Sequence, residues 1–332
     1  MDIPIGGEHA ATARAYSNIA LAKYWGKRDA ALNIPAVGSI SITLDALHTD
    51  TTVAFDPDLE ADELWLDGVR QPPGRAGLVL DLVRERAGIA SAARVDSVND
   101  FPTGAGLASS ASGFAALVVA ACAAAGVDAD PRELSILARR GSASAARSLF
   151  GGYVELHAGA SADGSDAYAE QILAGEDWPL SIVVAITDHG QKAVSSTQGM
   201  QATSASSPFY DAWVESAEPE LARLRAAIAE RDFPALGELA EHSCLKLHAL
   251  MLTTRPALIY WNAATVSAIH AVRELRAEGT PVYFTIDAGP QLKALCLPKD
   301  AAAVAAALAS LAGVRETRIS ALGPGAHLAA AS

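Results

Sequence analysis

Charge is scarce in this chain, and base is scarcer than acid. Only 19% of its 332 residues are charged, with 25 lysines and arginines against 38 aspartates and glutamates, giving a formal net charge of −13. Nucleic acids and anionic membranes need a basic face, so neither is expected as a partner. Cysteine is rare too: Cys122, Cys244 and Cys296 are odd in number, far apart and never in CxxC spacing. That removes a disulfide framework and a zinc site and leaves buried thiols. His157, His242, His248 and His270 show neither HExxH nor paired-ligand spacing, so no transition metal is expected and each reads as a core-edge or surface residue. The longest apolar run, GFAALVVAACAAAGV (113–127), is alanine-rich and shorter than the roughly 20 residues that span a bilayer. MDIPIGGEHA lacks the basic and apolar stretches of an export signal, so a cytoplasmic location is expected. GxSxG, GxxxxGK[ST] and a strand-borne GxGxxG are all missing, which argues against a hydrolase elbow, a P-loop and a Rossmann site.

What the chain has is apolar bulk: 51% hydrophobic residues at this length should bury a large core, in two lobes or one large α/β unit. ISITL (40–44), TTVAF (51–55, after a turn), ELWLDG (63–68) and RVDSV (94–98) read as strands, with a helix near 75–88. A helix is expected from about 107 to 125, and Asp130, Pro131 and Glu133 form a capping box for another reaching Arg139 or Arg140. LSIVVAI (180–186) reads as a buried strand, Ser207-Pro208 and Asp232-Phe233-Pro234 as starts of long helices, and Pro256 as the start of a third that stops at Gly279. PVYFTID (281–287) and QLKALCL (291–297) should make a tight hairpin, followed by a helix at 299–312 and a strand at 318–322. The composition shifts near 160–180, the best place for a lobe boundary.

Residues 99 to 112, NDFPTGAGLASSAS, say most about chemistry. Asn99 and Pro102 lead through Gly104, Ala105, Gly106, Leu107 and Ala108 to Ser109 and Ser110, and then a helix follows. Glycines allow close backbone approach, and the first helical amides lack partners, so an anion fits there. A capped turn fits equally well.

Four clusters accompany the loop. In NIALAKYWGKRD (18–29), Lys23, Tyr24, Lys27 and Arg28 concentrate base; on an extended strand Lys23 and Tyr24 would face opposite ways, and a lysine-protected edge strand is the plainer reading. In GSASAARSLFGG (141–152), Ser142, Ser144 and Arg147 suit a carboxylate or phosphate, or are caps and a surface charge. Asp287 ends an apolar strand and is either a base or a turn residue. VSSTQGM (194–200) offers Ser195, Ser196 and Thr197 in what reads as a polar loop.

Taken together, these segments resemble the diphosphomevalonate decarboxylases, within the superfamily of galactokinase, homoserine kinase, mevalonate kinase and phosphomevalonate kinase. NIALAKYWGKRD, SISITLD, FPTGAGLASSASGFAAL, GSASAARSLFGG, SSTQGM with SPFYDAW, YFTIDAGP and LGPG occur in family order along nearly the whole chain. The resemblance implies a two-lobed α+β kinase fold, with 1–178 as the ATP-binding lobe, 179–332 carrying the catalytic Asp and the cleft between them. It implies ATP-dependent decarboxylation of mevalonate 5-diphosphate to isopentenyl diphosphate, with Mg²⁺, in a homodimer. Asp287 would orient or deprotonate the 3-hydroxyl, and Arg147 would clamp the C1 carboxylate with help from Ser142 and Ser144. Tyr24, Lys27 and Lys23 would meet the diphosphate opposite Ser196 and Thr197. Asn99, Pro102 and Gly104 through Ser110 would cradle ATP, with Ser109 or Ser110 near Mg²⁺.

The chain departs from the family pattern at Gln291, where DAGPN is usual, and at Thr197, where some bacterial members carry Arg. Val37-Gly38 and Ala146 are further departures. The weaker basic character makes a 5-monophosphate the competing substrate. A 3-kinase without decarboxylation and a non-catalytic relative compete as well, and the presence of Asp287, Arg147 and the loop disfavours both.

Overall fold

The computed structural model describes residues 10–190 and 192–329. The export-signal reading of residues 1–10 therefore lies, except for Ala10, outside the described residues. The chain opens with β1 (Ala10–Ala22), a small hairpin of β2 (Lys27–Asp29) and β3 (Ile34–Pro35), and β4 (Ser39–Asp56). β4 pairs antiparallel along most of β1. The turn expected before TTVAF is absent, so 39–56 is one strand. Its polar centre is held in register by Arg14, which forks onto the Asp50 carboxylate at 2.7 and 2.7 Å from β1.

β5 (Glu63–Leu66), β6 (Val69–Gln71), α1 (Gly74–Ala87) and β7 (Ala92–Asn99) follow, and β7 pairs antiparallel with β4 and parallel with β5. Next come α2 (Ser109–Ala124), α3 (Pro131–Gly141) and the single turn α4 (Ala145–Ser148). Asp130 and Glu133 make the expected capping box of α3. β8 (Tyr153–Leu156) pairs with the start of β4 and with β9 (Ala169–Leu173). β4 alternates buried and half-buried residues beyond Asp45, as a strand with one covered face must, and α1 to α3 pack there through Val79, Leu80, Leu117 and Leu137.

The second half holds β10 (Ser181–Ile186), α5 (Ser196–Ser206), α6 (Tyr210–Glu230), α7 (Phe233–Leu252), α8 (Ala263–Ala277), β11 (Val282–Ile286), β12 (Leu292–Cys296), α9 (Ala301–Ala309) and β13 (Glu316–Ala321). These strands form a second antiparallel sheet in the order β11-β12-β10-β13, while β14 (His327–Leu328) returns to pair with β1. Two expectations change here. VSSTQGM starts α5, because Ser195 and Gln198 make a capping box; and α8 starts at Ala263 rather than Pro256. The capping box of Asn262 and Thr265 sets the second start, while Leu258 N–H donates to Met251 O and Tyr260 OH to Val194 O, keeping 256–261 out of the helix.

One core joins the two sheets: Ile19, Leu21 and Ile42 meet Ile182, Val184 and Leu295, with Leu221 and Leu236 from α6 and α7. The three thiols are buried, as expected. His248 is buried at 3% exposure, not at the core edge. No helix among the described residues is long and apolar enough to cross a membrane.

Candidate active site

The end of β1, the starts of α2, α4 and α5, and the β11–β12 hairpin converge on a cavity of about 360 Å³. Lys23, Tyr24, Lys27, Gly104, Gly106, Ala108, Ser109, Ser110, Ser142, Ser144, Arg147, Ser196, Thr197 and Asp287 all line it. Lys23 and Tyr24 do so together, contrary to the alternation expected of a strand, because β1 ends at Ala22. Ala105 and Leu107 are buried beneath the loop rather than lining this cavity, and Pro102 is not on its wall. Asn99 lines a second cavity, and Arg28 turns away to the carbonyls of Ala158, Ala160 and Ser161.

The loop before α2 is not a capped turn. Gly104, Gly106 and Ala108 take φ of +75°, +84° and +61°, and no side chain caps α2. Alternating left-handed residues gather successive amides into a concavity, and the helix dipole adds to it. Among the described residues, the amides of Ala105, Gly106, Leu107 and Ala108 find no acceptor. The Ser109 hydroxyl is turned back onto the Gly104 amide at 3.2 Å, whereas Ser110 is exposed at the rim. The hairpin presses against this loop: a β-carbon on Gly106 would lie 3.0 Å from the Gly289 Cα.

Asp287 follows β11 directly. Lys23 Nζ donates to its Oδ1 at 2.6 Å, and Lys293 Nζ stands 3.5 Å from its Oδ2. Burial opposes ionisation of the carboxyl, yet the two ammoniums, with Arg147 farther off, hold it well below the usual carboxylate range. Behind it, α7 supports both neighbours: Ser243 Oγ accepts from the Lys23 amide at 2.9 Å, and Cys244 Sγ from the Ile286 amide at 3.2 Å.

Arg147 is 3% exposed and, among the described residues, has no carboxylate within ion-pair distance. Its Nη1 donates to Ser39 Oγ at 2.5 Å, and its Nε and Nη2 to Asn18 Oδ1 at 3.3 and 3.0 Å. Asn18 in turn donates to Ser144 O and Ser148 Oγ, which fixes α4 against β1. A guanidinium has five N–H groups, so one remains on each terminal nitrogen and is open to a carboxylate. Burial pushes this guanidinium down to about 10.

Three cations carried little or no signal in the sequence. Arg75 of α1 reaches Thr197 Oγ1 at 3.3 Å and Gly141 O at 3.4 Å; Lys192 donates to Ser196 Oγ at 2.7 Å and Ala288 O at 3.2 Å; Lys293 is buried in β12. A lysine inside QLKALCL, whose residues past Gln291 are otherwise apolar, was the one faint signal among them. Arg75 and Lys192 offered nothing beyond being base in an acidic chain. Lys27 is pushed down to about 8, first by burial and then by Arg75. Beside Ser109, Ser110 and Phe114, the second cavity, about 290 Å³, is walled by Leu64, Leu66, Val95 and Leu117, with Thr51, Ser97, Asn99 and Thr103 as further polar groups.

A concavity of open amides beside an ionised carboxylate, in a cleft of base with few carboxylate partners, is the geometry of an ATP-using enzyme on the two-lobed α+β small-molecule kinase fold. Residues 15–169 match the family described as diphosphomevalonate decarboxylase-like N-terminal domain, and residues 182–323 the mevalonate 5-diphosphate decarboxylase C-terminal domain. The chain belongs to the diphosphomevalonate decarboxylase family. It is 39% identical to the diphosphomevalonate decarboxylase of Homo sapiens, over 85% of this chain and 75% of that protein, and 39% identical to that of Saccharomyces cerevisiae, over 85% and 76%. A solved structure of mevalonate diphosphate decarboxylase from Staphylococcus aureus is 38% identical with a TM-score of 0.90, covering 97% of this chain and 98% of that one. A structure described as MDDEF in complex with MVAPP, AMPPCP and magnesium is 40% identical with a TM-score of 0.90, covering 96% and 98%.

Proposed function

We propose that this protein phosphorylates the tertiary 3-hydroxyl of mevalonate 5-diphosphate with ATP and then expels phosphate and CO₂, yielding isopentenyl diphosphate. The observation that carries the reading is Asp287, held ionised beside the open amides of the phosphate loop, with Arg147 in the same cavity keeping two N–H groups unused. Hydroxide leaves a tertiary carbon poorly and phosphate leaves it well, so phosphoryl transfer prepares the elimination. Asp287 orients the 3-hydroxyl and takes its proton. A carboxylate this weakly basic accepts that proton late, as the new P–O bond forms.

Arg147 holds the C1 carboxylate with its two remaining N–H groups, aided by Ser142 and Ser144, whose hydroxyls lie 3.1 Å apart. Its task is orientation, since a tight grip would oppose the electron flow out of departing CO₂. Tyr24, Lys23 and Lys27 on one side, with Ser196 and Thr197 on the other, surround the diphosphate. Arg75 supports the diphosphate over the monophosphate: it brings a guanidinium to Thr197, the position where some relatives carry their own arginine. Gly104 through Ser110 take the ATP phosphates with Lys192 beside them, and the apolar second cavity suits adenine.

No group of three or more metal-ligating side chains occurs among the described residues, so Mg²⁺ fits here as a partner of the nucleotide phosphates, with Ser110 the freer hydroxyl and Ser109 behind it. When bound, the ion neutralises charge on the transferring phosphoryl oxygens. The lobe division at 178/179, a homodimeric assembly and a cytoplasmic location belong to the same reading.

The test is ATP-dependent release of CO₂ and phosphate from mevalonate 5-diphosphate. Asp287→Asn should fold and lose about 10³-fold or more in kcat. Near-normal turnover of that variant would remove Asp287 from the chemistry.

A further inference from the structure

Gln291 immediately precedes β12 and Lys293 is its second residue, a spacing of two that puts both on one side of extended chain. Both are buried, at 0% and 1% exposure, and both reach the phosphate loop. Gln291 Nε2 donates to Ala105 O at 3.0 Å, and Lys293 Nζ donates to Gly106 O at 3.0 Å. The second amide hydrogen of Gln291 goes to Asp188 O, and its Oε1 accepts from the Thr187 amide at 2.6 Å, which ties the loop to the end of β10. Lys293 Nζ also faces the Asp287 carboxylate at 3.5 Å. Two consecutive carbonyls of the loop are thus pulled toward the catalytic hairpin. In a trans peptide the N–H points opposite to its C=O, so these two contacts turn the amides of Gly106 and Leu107 away from β12.

We propose that Gln291 and Lys293 are positioning residues that clamp the phosphate loop to the hairpin, setting the nucleotide amides and the Asp287 carboxylate in one fixed register. The proposal rests on the roles of Asp287 and the loop in the proposed function. It assigns two residues outside the cleft's first layer to the phosphoryl-transfer geometry. Lys293 has a second effect that a purely structural lysine would lack, because it is one of two ammoniums in contact with Asp287. The charged and titratable groups around that carboxylate are Lys23 after β1, Arg147 on α4, Lys192 before α5, Cys244 and His248 on α7, and Lys293 itself.

The experiment compares the native chain, Lys293→Met and Gln291→Met with ATP, Mg²⁺ and mevalonate 5-diphosphate, after thermal melts establish which variants fold. Lys293→Met should lower kcat about 100-fold, the scale of an ångström-level misplacement. The loss should fall in kcat and not in KM for mevalonate 5-diphosphate, because Lys293 touches Gly106 O and the Asp287 carboxylate and none of the side chains assigned to the diphosphate. Gln291→Met should weaken binding of the non-hydrolysable analogue AMPPCP about tenfold, the scale of one or two lost hydrogen bonds, while leaving the affinity for mevalonate 5-diphosphate unchanged. If Lys293→Met does not fold, the Gln291→Met binding result alone decides. A folded Lys293→Met with native kcat, or with its loss in KM instead, or native AMPPCP affinity in Gln291→Met, overturns the proposal. Absence of CO₂ release by the native chain would instead overturn the functional reading.

Discussion

Lys27 must be charged to meet an anion, yet burial and the nearby Arg75 push its ammonium down to about 8. In the free enzyme it therefore discharges as pH rises through 8, and kcat/KM for mevalonate 5-diphosphate should fall over that range while kcat at saturation holds. Lys27→Arg should flatten the fall, and an unchanged profile in that variant would remove Lys27 from the diphosphate site. His248 titrates in the opposite sense for stability. Burial, with Lys23 nearby, pushes it down to about 3 from an ordinary 6.5, and its Nε2 accepts from Trp261 Nε1 at 3.2 Å, as only the neutral ring can. A depressed pKa gives stability that is complete above 6.5 and is lost as pH falls toward 3, at up to about 1.4 kcal/mol per unit. Denaturant melts between pH 6.5 and 5 should show a shallower loss in His248→Gln than in the native chain; equal slopes would contradict this. Nothing in the sequence distinguished this histidine from His157, His242 and His270, because its burial comes from α7 packing on the hairpin.

At the scale of elements, the site is a meeting of termini: the uncapped start of α2, the turn α4, the capped start of α5 and the β11–β12 hairpin. Those near Gly104, Arg147 and Asp287 were legible because glycine spacing, a Ser-x-Ser-x-x-Arg run and a hairpin turn are local signals. The start of α5 was legible only as polarity, since its Ser195–Gln198 capping box sits in a stretch without apolar periodicity. Arg75 was invisible, because α1 meets α5 only through the tertiary fold. Its removal is correspondingly informative. Arg75→Ala should raise KM for mevalonate 5-diphosphate about 10- to 100-fold, the range for a lost charge-assisted hydrogen bond, and should raise it far less for the 5-monophosphate. Equal effects on the two substrates would place Arg75 outside the terminal-phosphate site.

At the scale of the molecule, two sheets share one core, and the cleft lies where β1 of the first meets the hairpin of the second. The class of fold followed from motif order along the chain. The path of β4 through a supposed turn and the return of β14 to β1 did not, since both depend on partners far away in sequence. An acidic protein that gathers Lys23, Lys27, Arg75, Arg147, Lys192 and Lys293 around one cleft is built to hold a heavily anionic pair of substrates. The most direct test is CO₂ release, with ATP and Mg²⁺, from mevalonate 5-diphosphate and mevalonate 5-phosphate side by side. The arrangement predicts stoichiometric CO₂, ADP and phosphate from the diphosphate, with a much lower kcat/KM for the monophosphate. Phosphorylated product accumulating without CO₂, or a preference for the monophosphate, would contradict it.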